Sequence, residues 1–248
     1  IDDPSEEGAF PYMRVSVDGD AVYTDSDGNY SAGGTGSGSH TFYATLRGMY
    51  CIIYDGSYPR STYNTSFSGS EFDFFWTSAD ARENQLNLYY HTNFIHDYVK
   101  NFLGFSEMDY SMPAQVNDPA IEDNAYWDGE GINFGVSGGS MYDLSMFSDV
   151  IYHEYTHGVT HHIYPYSGLS TSQGRAIDEA LSDYFPCSIH DDPRMGERTF
   201  IGSPGSYMRN LMNSNRYPDD FVGESHYDSQ IISGAWWEIR SELGAPYT

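Results

Sequence analysis

The first 76 residues alternate apolar and polar positions, which is the period of a strand with one buried face. This alternation predicts strands at residues 14–17, 21–23 and 41–46. Because glycine takes positive φ without strain, three aspartate–glycine pairs predict tight turns, at Asp18-Gly19, Asp27-Gly28 and Asp55-Gly56. One more strand is predicted at residues 72–76, so the chain begins with a β-rich N-terminal domain over residues 1–76.

Beyond this domain the apolar positions recur every three or four residues, which is the helical period. The first predicted helix takes Ser78 as its N-cap and ends before Gly104. Residues 105–148 are predicted to be mostly irregular. Two short segments within them predict an edge strand and its return strand, at residues 124–129 and 131–135.

Three more helices are predicted, with bounds set by N-cap residues and prolines: from Ser148 or Asp149 to about His162, from near Gly174 to Pro186, and from about Ile232 onwards. A β-rich lobe followed by helices makes the chain α+β. The helical part is expected to form a second domain over residues 77–248, incomplete at its C-terminal end.

The charge of the chain narrows the range of partners. Its net charge is −25, from 36 acidic and 11 basic residues. Such a surface repels nucleic acid and anionic membranes, and it favours solubility, cation binding or high salt. Aromatic residues make up 17% of the chain, so core material is plentiful and disorder is not indicated. The sequence contains no run of about 20 apolar residues that would span a membrane.

Several features bear on the compartment in which the protein works. The chain begins at Ile1, has no visible signal peptide and contains little lysine. We therefore expect a fragment of a longer precursor, from a secreted protein. Cys51 and Cys187 are too few for a disulfide framework, and their pairing stays open.

The stretch from Tyr152 to Thr160 contains the pattern H-E-x-x-H. On a helix, His153 and His157 lie one turn apart on the same face, roughly 6 Å along the axis. A tetrahedral ion can take one nitrogen from each, at about 2.0–2.1 Å. Glu154 lies between them and is angled away from the ion, so it can take a proton from water rather than ligate.

A catalytic zinc needs a third protein ligand and an open position. His161 is two turns from His153, about 12 Å along the axis, so it cannot bind the same ion. The extended metzincin pattern would need a glycine and a further histidine at positions where the chain has Thr160 and Ile163.

An acid on a second helix is the other candidate for the third ligand. Glu179 follows His157 at a distance that allows a turn and a return helix. Glu179 and Asp183 lie on one face, so one acid can ligate while the other orients a ligand imidazole. Apolar neighbours make this helix largely buried, and buried carboxylates require partners.

Residues 153–160 followed by residues 176–183 resemble the thermolysin family of gluzincin metalloendopeptidases, with the fungalysins as near relatives. The resemblance covers about residues 78–240. It implies a thermolysin-like zincin catalytic domain, with the H-E-x-x-H helix at the centre of the cleft. It also implies a residue set: zinc on His153, His157 and Glu179, Glu154 as general base, and Asp183 orienting a zinc-bound histidine.

The same resemblance implies residues around the metal. Asn124 and Ala125 match the edge strand that pairs with the substrate backbone. Arg209 matches an arginine that holds a substrate carbonyl, and His226 matches a histidine that stabilises the oxyanion. Asp149 matches a calcium ligand, which makes calcium a second expected cofactor. Three of these residues also have plainer interpretations. Arg209 would be the partner of a structural acid, His226 a packing residue, and Asp149 an N-cap.

The chain departs from the family pattern in several places. A tyrosine expected between the two metal-binding helices has Ser170 or Thr171 near its place, with Tyr164 and Tyr166 closer to the first helix. The acids expected beside His226 and at the calcium site are not at the usual spacing. The candidates for these roles are Asp219, Asp220 and Asp228 beside the histidine, and Asp191, Asp192 and Glu197 at the calcium site.

We therefore expect a secreted zinc-dependent endopeptidase that hydrolyses peptide bonds by metal-activated water, with Glu154 as general base. Its expected partners are a protein or peptide substrate and other segments of a longer precursor, with no nucleic acid and no membrane insertion. A catalytically weak or inactive zincin-like domain, serving as a structural or adhesive extracellular module, is the main alternative. A gluzincin aminopeptidase is a third, but its G-x-M-E-N motif is absent.

Overall fold

A computed structural model describes residues 8–33, 36–165 and 169–244. Eight strands in this part of the chain form one sheet, in the order β2-β1-β3-β4-β6-β8-β7, with β5 also paired to β3. Their bounds are β1 Met13–Val17, β2 Asp20–Tyr23, β3 Ser39–Gly48, β4 Cys51–Asp55, β5 Thr62–Ser68, β6 Met112–Glu122, β7 Ala125–Trp127 and β8 Ile132–Val136. Strands β4, β6 and β8 run parallel, and the other pairings are antiparallel.

The three strands predicted from alternation are confirmed as β1, β2 and β3. The strand predicted at residues 72–76 is wrong. Its alternate side chains do pack on the sheet, with the Phe72 ring 5.0 Å from Phe42 and the Phe74 ring 4.2 Å from Tyr63. The alternation therefore reflects burial of the side chains, whereas the backbone of residues 72–76 joins no sheet in the described part of the chain.

Strand β6 lies in the segment that was predicted to be irregular. It contains Pro113 and Pro119, which interrupt the sequence pattern of a strand. Its alternate residues Met112, Ala114 and Val116 are nonetheless fully buried, and β4 and β8 flank it on both sides. Because β4 precedes residue 77 and β6 follows it, one sheet crosses the predicted domain boundary, and the two-domain division stays a prediction.

The described residues form four helices, of which the first two pack against the sheet: α1 Glu83–Leu103, α2 Ser148–Ile163, α3 Ser172–His190 and α4 Ser225–Leu243. Helix α1 packs on β4 and β6, α2 packs against α1, α3 and β7, and α3 packs against α2 and α4. Two short strands, β9 Arg194–Met195 and β10 Arg209–Asn210, form a hairpin between α3 and α4. Among the described residues no helix combines the length and apolarity needed to cross a membrane.

The bounds of three helices differ from those predicted. Helix α1 begins after Arg82 rather than Ser78, because residues 77–81 form a turn closed by the Thr77 hydroxyl and Asp80. Helix α3 continues through Pro186 to His190, since one proline removes a single hydrogen bond from a helix packed on both sides. Helix α4 begins seven residues before Ile232, where a Glu224 carboxylate caps it.

Candidate metal centre

Helix α2 brings the two histidines of the H-E-x-x-H pattern together. The Nε2 atoms of His153 and His157 lie 3.1 Å apart, and the two rings are nearly perpendicular. Two nitrogens that bind one tetrahedral ion at the usual zinc distance are separated by about 3.3 Å. Both imidazoles therefore already point at one position, and both are largely buried.

Helix α3 adds Glu179 to the same position. Its Oε2 atom lies 3.3 Å from His153 Nε2, and its Oε1 atom lies 3.7 Å from His157 Nε2. One ligand atom from each of the three residues lies within 4.8 Å of the others. Among the described residues this is the one group of three or more metal-binding side chains.

Two observations test whether these residues suit a metal ion. The buried Oε2 atom of Glu179 forms no well-aligned hydrogen bond in the described part of the chain, although His153 Nε2 lies 3.3 Å away, and a buried carboxylate oxygen normally has a well-aligned partner. Two imidazoles and one carboxylate also form a donor set that catalytic zinc uses. The three side chains therefore fit a zinc ion.

An acid stands behind each of the two imidazoles. Asp183 Oδ1 lies 2.9 Å from His153 Nδ1, as expected from the sequence, and its side chain is fully buried. Asp178 Oδ2 lies 3.0 Å from His157 Nδ1 and was not expected. Asp178 also accepts a hydrogen bond from the Thr160 hydroxyl on α2. Its position directly before Glu179 is the only sequence signal that identifies it, and that signal is weak.

The charges of this cluster shift one another's pKa. Burial disfavours the charged form of His153, but Asp183 and Glu179 outweigh this effect and raise its pKa to about 10. Burial likewise favours the neutral form of Glu179, but the neighbouring histidines lower its pKa to about 2. Without a metal, the imidazolium of His153 thus neutralises part of the buried acid charge.

Glu154 lies beside this cluster and is 5% exposed. Burial raises its pKa, and the positive charges of His153 and His157 only partly offset that effect. A carboxylate with a raised pKa is a stronger base than an ordinary surface carboxylate. The local environment thus suits Glu154 to proton transfer.

Arg209, on β10, faces the same cluster from the other side. Its guanidinium donates two hydrogen bonds of 2.6 Å to Asp183, one to each carboxylate oxygen. This pair raises the pKa of the Arg209 guanidinium and holds the pKa of the Asp183 carboxyl well below its usual range. Arg209 also lines the cavity, as Glu179 does. Its pairing with Asp183 is therefore compatible with the position near substrate that the sequence predicts for it.

His226 lies at the first turn of α4, with its Nε2 atom 3.3 Å from Glu179 Oε1. Its Nδ1 atom lies 2.8 Å from a Glu224 carboxylate oxygen. Glu224 therefore holds the place for which three aspartates were considered; of these, Asp228 accepts the backbone N–H groups of Val222 and Gly223, and Asp220 accepts that of Arg216. Glu224 was missed because it lies two residues before the histidine, where its part as the α4 N-cap was not foreseen.

These groups line an open cavity of about 590 Å³. Asn124 and Ala125 form one rim, at the edge strand β7 of the sheet. The apolar part of its lining includes Leu144, Val150, Met195 and Met208. The polar part includes His161, Tyr164 and Ser170. Thr171 caps α3 instead, and Tyr166 lies outside the described residues.

Asp149, the residue expected to bind calcium, accepts hydrogen bonds from the N–H groups of Val150 and Gly196, at 2.8 and 2.6 Å. It lies in the first turn of α2, whose N-cap is Phe147, so Asp149 is not the N-cap, although its carboxylate does accept a backbone N–H group of the helix. Cys51 and Cys187 are both free and buried, so they do not pair with each other.

The chain is similar to known peptidases in sequence and fold. Residues 23–161 match the family model described as thermolysin metallopeptidase, catalytic domain. This match ends before Glu179, so the third metal-facing side chain is identified by geometry. In fold, the chain is similar to the precursor of protealysin from Serratia proteamaculans, with a TM-score of 0.60 and 18% identity over 88% of this chain and 74% of that one.

Three curated relatives are similar in sequence. A gelatinase of Enterococcus faecalis is 29% identical over 65% of this chain and 36% of its own length. An extracellular elastase of Staphylococcus epidermidis is 32% identical over 62% of this chain and 34% of its own length. A thermolysin of Alicyclobacillus acidocaldarius is 28% identical over 81% of this chain and 40% of its own length.

The chain thus spans between a third and two fifths of the length of these relatives. The family match covers more than half of the chain, and the α+β fold with H-E-x-x-H on its central helix agrees with it. The chain belongs to the thermolysin family of metallopeptidases.

Proposed function

We propose that this chain is the catalytic part of a secreted zinc endopeptidase, with Glu154 as general base. The observation that carries the proposal is the convergence of His153, His157 and Glu179 on one position, where one ligand atom of each lies within 4.8 Å of the others. Glu154 lies beside that position and is itself buried. Family membership and the names of the relatives support peptide hydrolysis.

Zinc held by His153, His157 and Glu179 would supply Lewis acidity towards a peptide carbonyl and lower the pKa of a water molecule. Glu154 accepts a proton from the attacking water and delivers it to the leaving nitrogen. His226 donates a hydrogen bond from Nε2 to the carbonyl oxygen as negative charge develops there. Glu224 holds the other ring nitrogen of His226, so that the donor stays directed at the cavity.

The substrate we propose is an extended peptide that adds a strand beside β7. Asn124 and Ala125 lie on the rim where its backbone would pair. The apolar side chains in the cavity lining, among them Met195 and Met208, suit an apolar substrate side chain. Secretion is supported by the name of the extracellular elastase, and other segments of a precursor are supported by the name of the protealysin precursor.

Hydrolysis of casein and of a quenched peptide by the zinc-loaded protein tests this function. We expect activity that is lost with 1,10-phenanthroline, returns when zinc is added, and falls by several orders of magnitude in Glu154→Gln. Glu242→Gln is the matched control, because this exposed acid at the end of α4 has no ion pair among the described residues. Activity that survives both the chelator and Glu154→Gln would overturn the zinc mechanism.

The same experiment separates the endopeptidase from the structural or adhesive module. One observation favours that second function: the His226 side chain is 56% exposed, more open than a preformed oxyanion donor requires. Stoichiometric zinc binding without hydrolysis of either substrate would support the module.

A further inference from the structure

The acids considered for a calcium site lie in and around the segment between α3 and β10. Asp191, Asp192 and Glu197 belong to that segment, and Asp149 faces it from α2. A calcium ion is held by six to eight oxygen atoms, mostly from carboxylates and carbonyls. These four carboxylates should therefore converge on one position if calcium binds there.

Arg194 engages two of these acids instead. Its guanidinium donates two hydrogen bonds to Asp192, at 3.0 and 2.8 Å, and its third nitrogen lies 2.7 Å from Glu197 Oε1. The Asp192 carboxylate also accepts the backbone N–H of Arg194 at 3.0 Å. The planar guanidinium holds its N–H donors in a fixed fork, and this arrangement fits two carboxylates better than a single point charge such as an ammonium group does.

The other two acids are engaged elsewhere. Asp191 pairs with Arg240 on α4 at 2.8 Å. Asp149 accepts the N–H of Gly196 at 2.6 Å. Gly196 has a φ of +68°, and a Cβ atom there would lie 2.5 Å from Met208 Cγ. The turn at Gly196 is therefore held by Asp149 on one side and covered by Met208 on the other.

This segment forms one wall of the cavity. Met195 pairs with Arg209 across the β9–β10 hairpin, and the Met208 N–H donates to the Met195 carbonyl at 2.8 Å. Met195, Met208 and Arg209 all line the cavity. Asp149 thus ties the segment that precedes these side chains to α2, and Arg194 ties Asp192 to Glu197 within that segment.

We propose that Arg194 takes the place of a bound cation in this chain. Its guanidinium neutralises Asp192 and Glu197 and, together with the Asp149–Gly196 hydrogen bond, holds the β9–β10 hairpin against the cavity without calcium. The carboxylates expected to bind calcium do not form a calcium site, because an internal cation already occupies two of them. Arg194 and Asp149 are positioning residues for the cavity wall.

The test measures the melting temperature and the amide hydrogen exchange of the zinc-loaded protein in about 1 M NaCl, where the Debye length is about 3 Å and diffuse binding of divalent ions is screened. We expect the wild-type melting temperature to be the same in millimolar calcium and in millimolar magnesium. Arg194→Gln should speed exchange several-fold at the Gly196, Met208 and Leu211 amides, whose acceptors lie on Asp149, Met195 and Pro193.

Two variants serve as controls. Arg198→Gln removes the same charge from the same segment, but the Arg198 side chain is exposed and forms no ion pair among the described residues, so its exchange should match that of the wild type. Arg194→Lys restores the charge without the planar fork, and it should recover part of the protection. Recovery of amide protection in Arg194→Lys would show that the positive charge matters, and not only the packing of the side chain.

Stabilisation of the wild type by calcium but not magnesium, saturating at one or two ions, would overturn the proposal. So would exchange in Arg194→Gln no faster than in Arg198→Gln, or Arg194→Lys behaving like Arg194→Gln. None of these measurements uses peptide hydrolysis, so they stand whether or not the protein is an active peptidase.

Discussion

Each metal-facing imidazole has a carboxylate at its second nitrogen, Asp183 for His153 and Asp178 for His157. A hydrogen bond at Nδ1 fixes the tautomer that leaves Nε2 free, and it raises the basicity of the ring. Asp183 is shared with Arg209, whereas Asp178 is shared with the Thr160 hydroxyl and is partly exposed. The two acids therefore support one imidazole each, with different degrees of burial.

Replacing Asp178 tests this arrangement. We expect Asp178→Ala to weaken zinc binding by about 10- to 100-fold, because His157 loses the acid that orients it. Asp178→Asn keeps an acceptor oxygen without the charge and should lose less. Competition with a chromophoric zinc chelator measures both affinities. Asp20→Ala, an exposed acid on β2, is the control for charge, and equal affinities in the control and in Asp178→Ala would contradict the role.

At the level of secondary structure, Asp123 joins β6 to the loop that follows β8. Its carboxylate accepts the N–H groups of Gly138, Ser140 and Met141, at 2.7, 3.1 and 3.2 Å. The Gly138 hydrogen bond is the main reason why the pKa of Asp123 is lowered, although partial burial opposes the shift. This loop leads into the 3-10 helix at Leu144–Met146 and then into α2, so Asp123 helps to place the metal-binding helix.

The lowered pKa determines the pH at which this contribution is lost. The unfolded carboxyl has a pKa of about 3.9, so the hydrogen-bonded carboxylate stabilises the fold above that pH and stops doing so as the pH falls through the lower folded value. We expect Asp123→Asn to reduce the free energy of unfolding at neutral pH, and the difference from the wild type to shrink below about pH 4. Denaturant unfolding over a pH series measures this difference.

Asparagine suits the position sterically, because it tolerates the positive φ of 49° that Asp123 adopts. Asp20→Asn again serves as the exposed control. A difference from the wild type that stays constant from neutral to acidic pH would rule out the carboxylate as its cause.

For the molecule as a whole, the net charge of −25 causes electrostatic repulsion between acidic groups, which destabilises the folded state. The described carboxylates that have partners, such as Asp183 and Asp192, do not add to this repulsion in full. Most of the other acids face solvent, where salt screens them.

The protein should therefore be more stable in salt. We expect the melting temperature to rise by several degrees between about 0.1 and 1 M NaCl, as the Debye length falls from about 10 to 3 Å. Sucrose at matched osmolality is the control for general exclusion effects and should raise it less. A melting temperature that falls or does not move with salt would contradict this prediction.

The sequence determined the features that depend on short-range geometry. The helical spacing of His153 and His157 places both on one face, and the buried period of α3 selects Glu179 and Asp183 as a pair. The strands β1 to β3 follow from alternation, because one face of each is buried. Both features follow from the 3.6-residue period of a helix and the 2-residue period of a strand, which can be seen directly along the sequence.

Tertiary structure alone decided what depends on contacts between distant segments. Strand β6 forms despite its prolines because β4 and β8 flank it. Asp178, Arg209 and His226 reach His157, Asp183 and Glu179 respectively only because α2, α3, α4 and the β9–β10 hairpin meet at one place. No periodicity encodes these contacts. A single acid or arginine looks the same in sequence whether it faces water, a ligand imidazole or another charge, and its role emerges only when the chain folds around it.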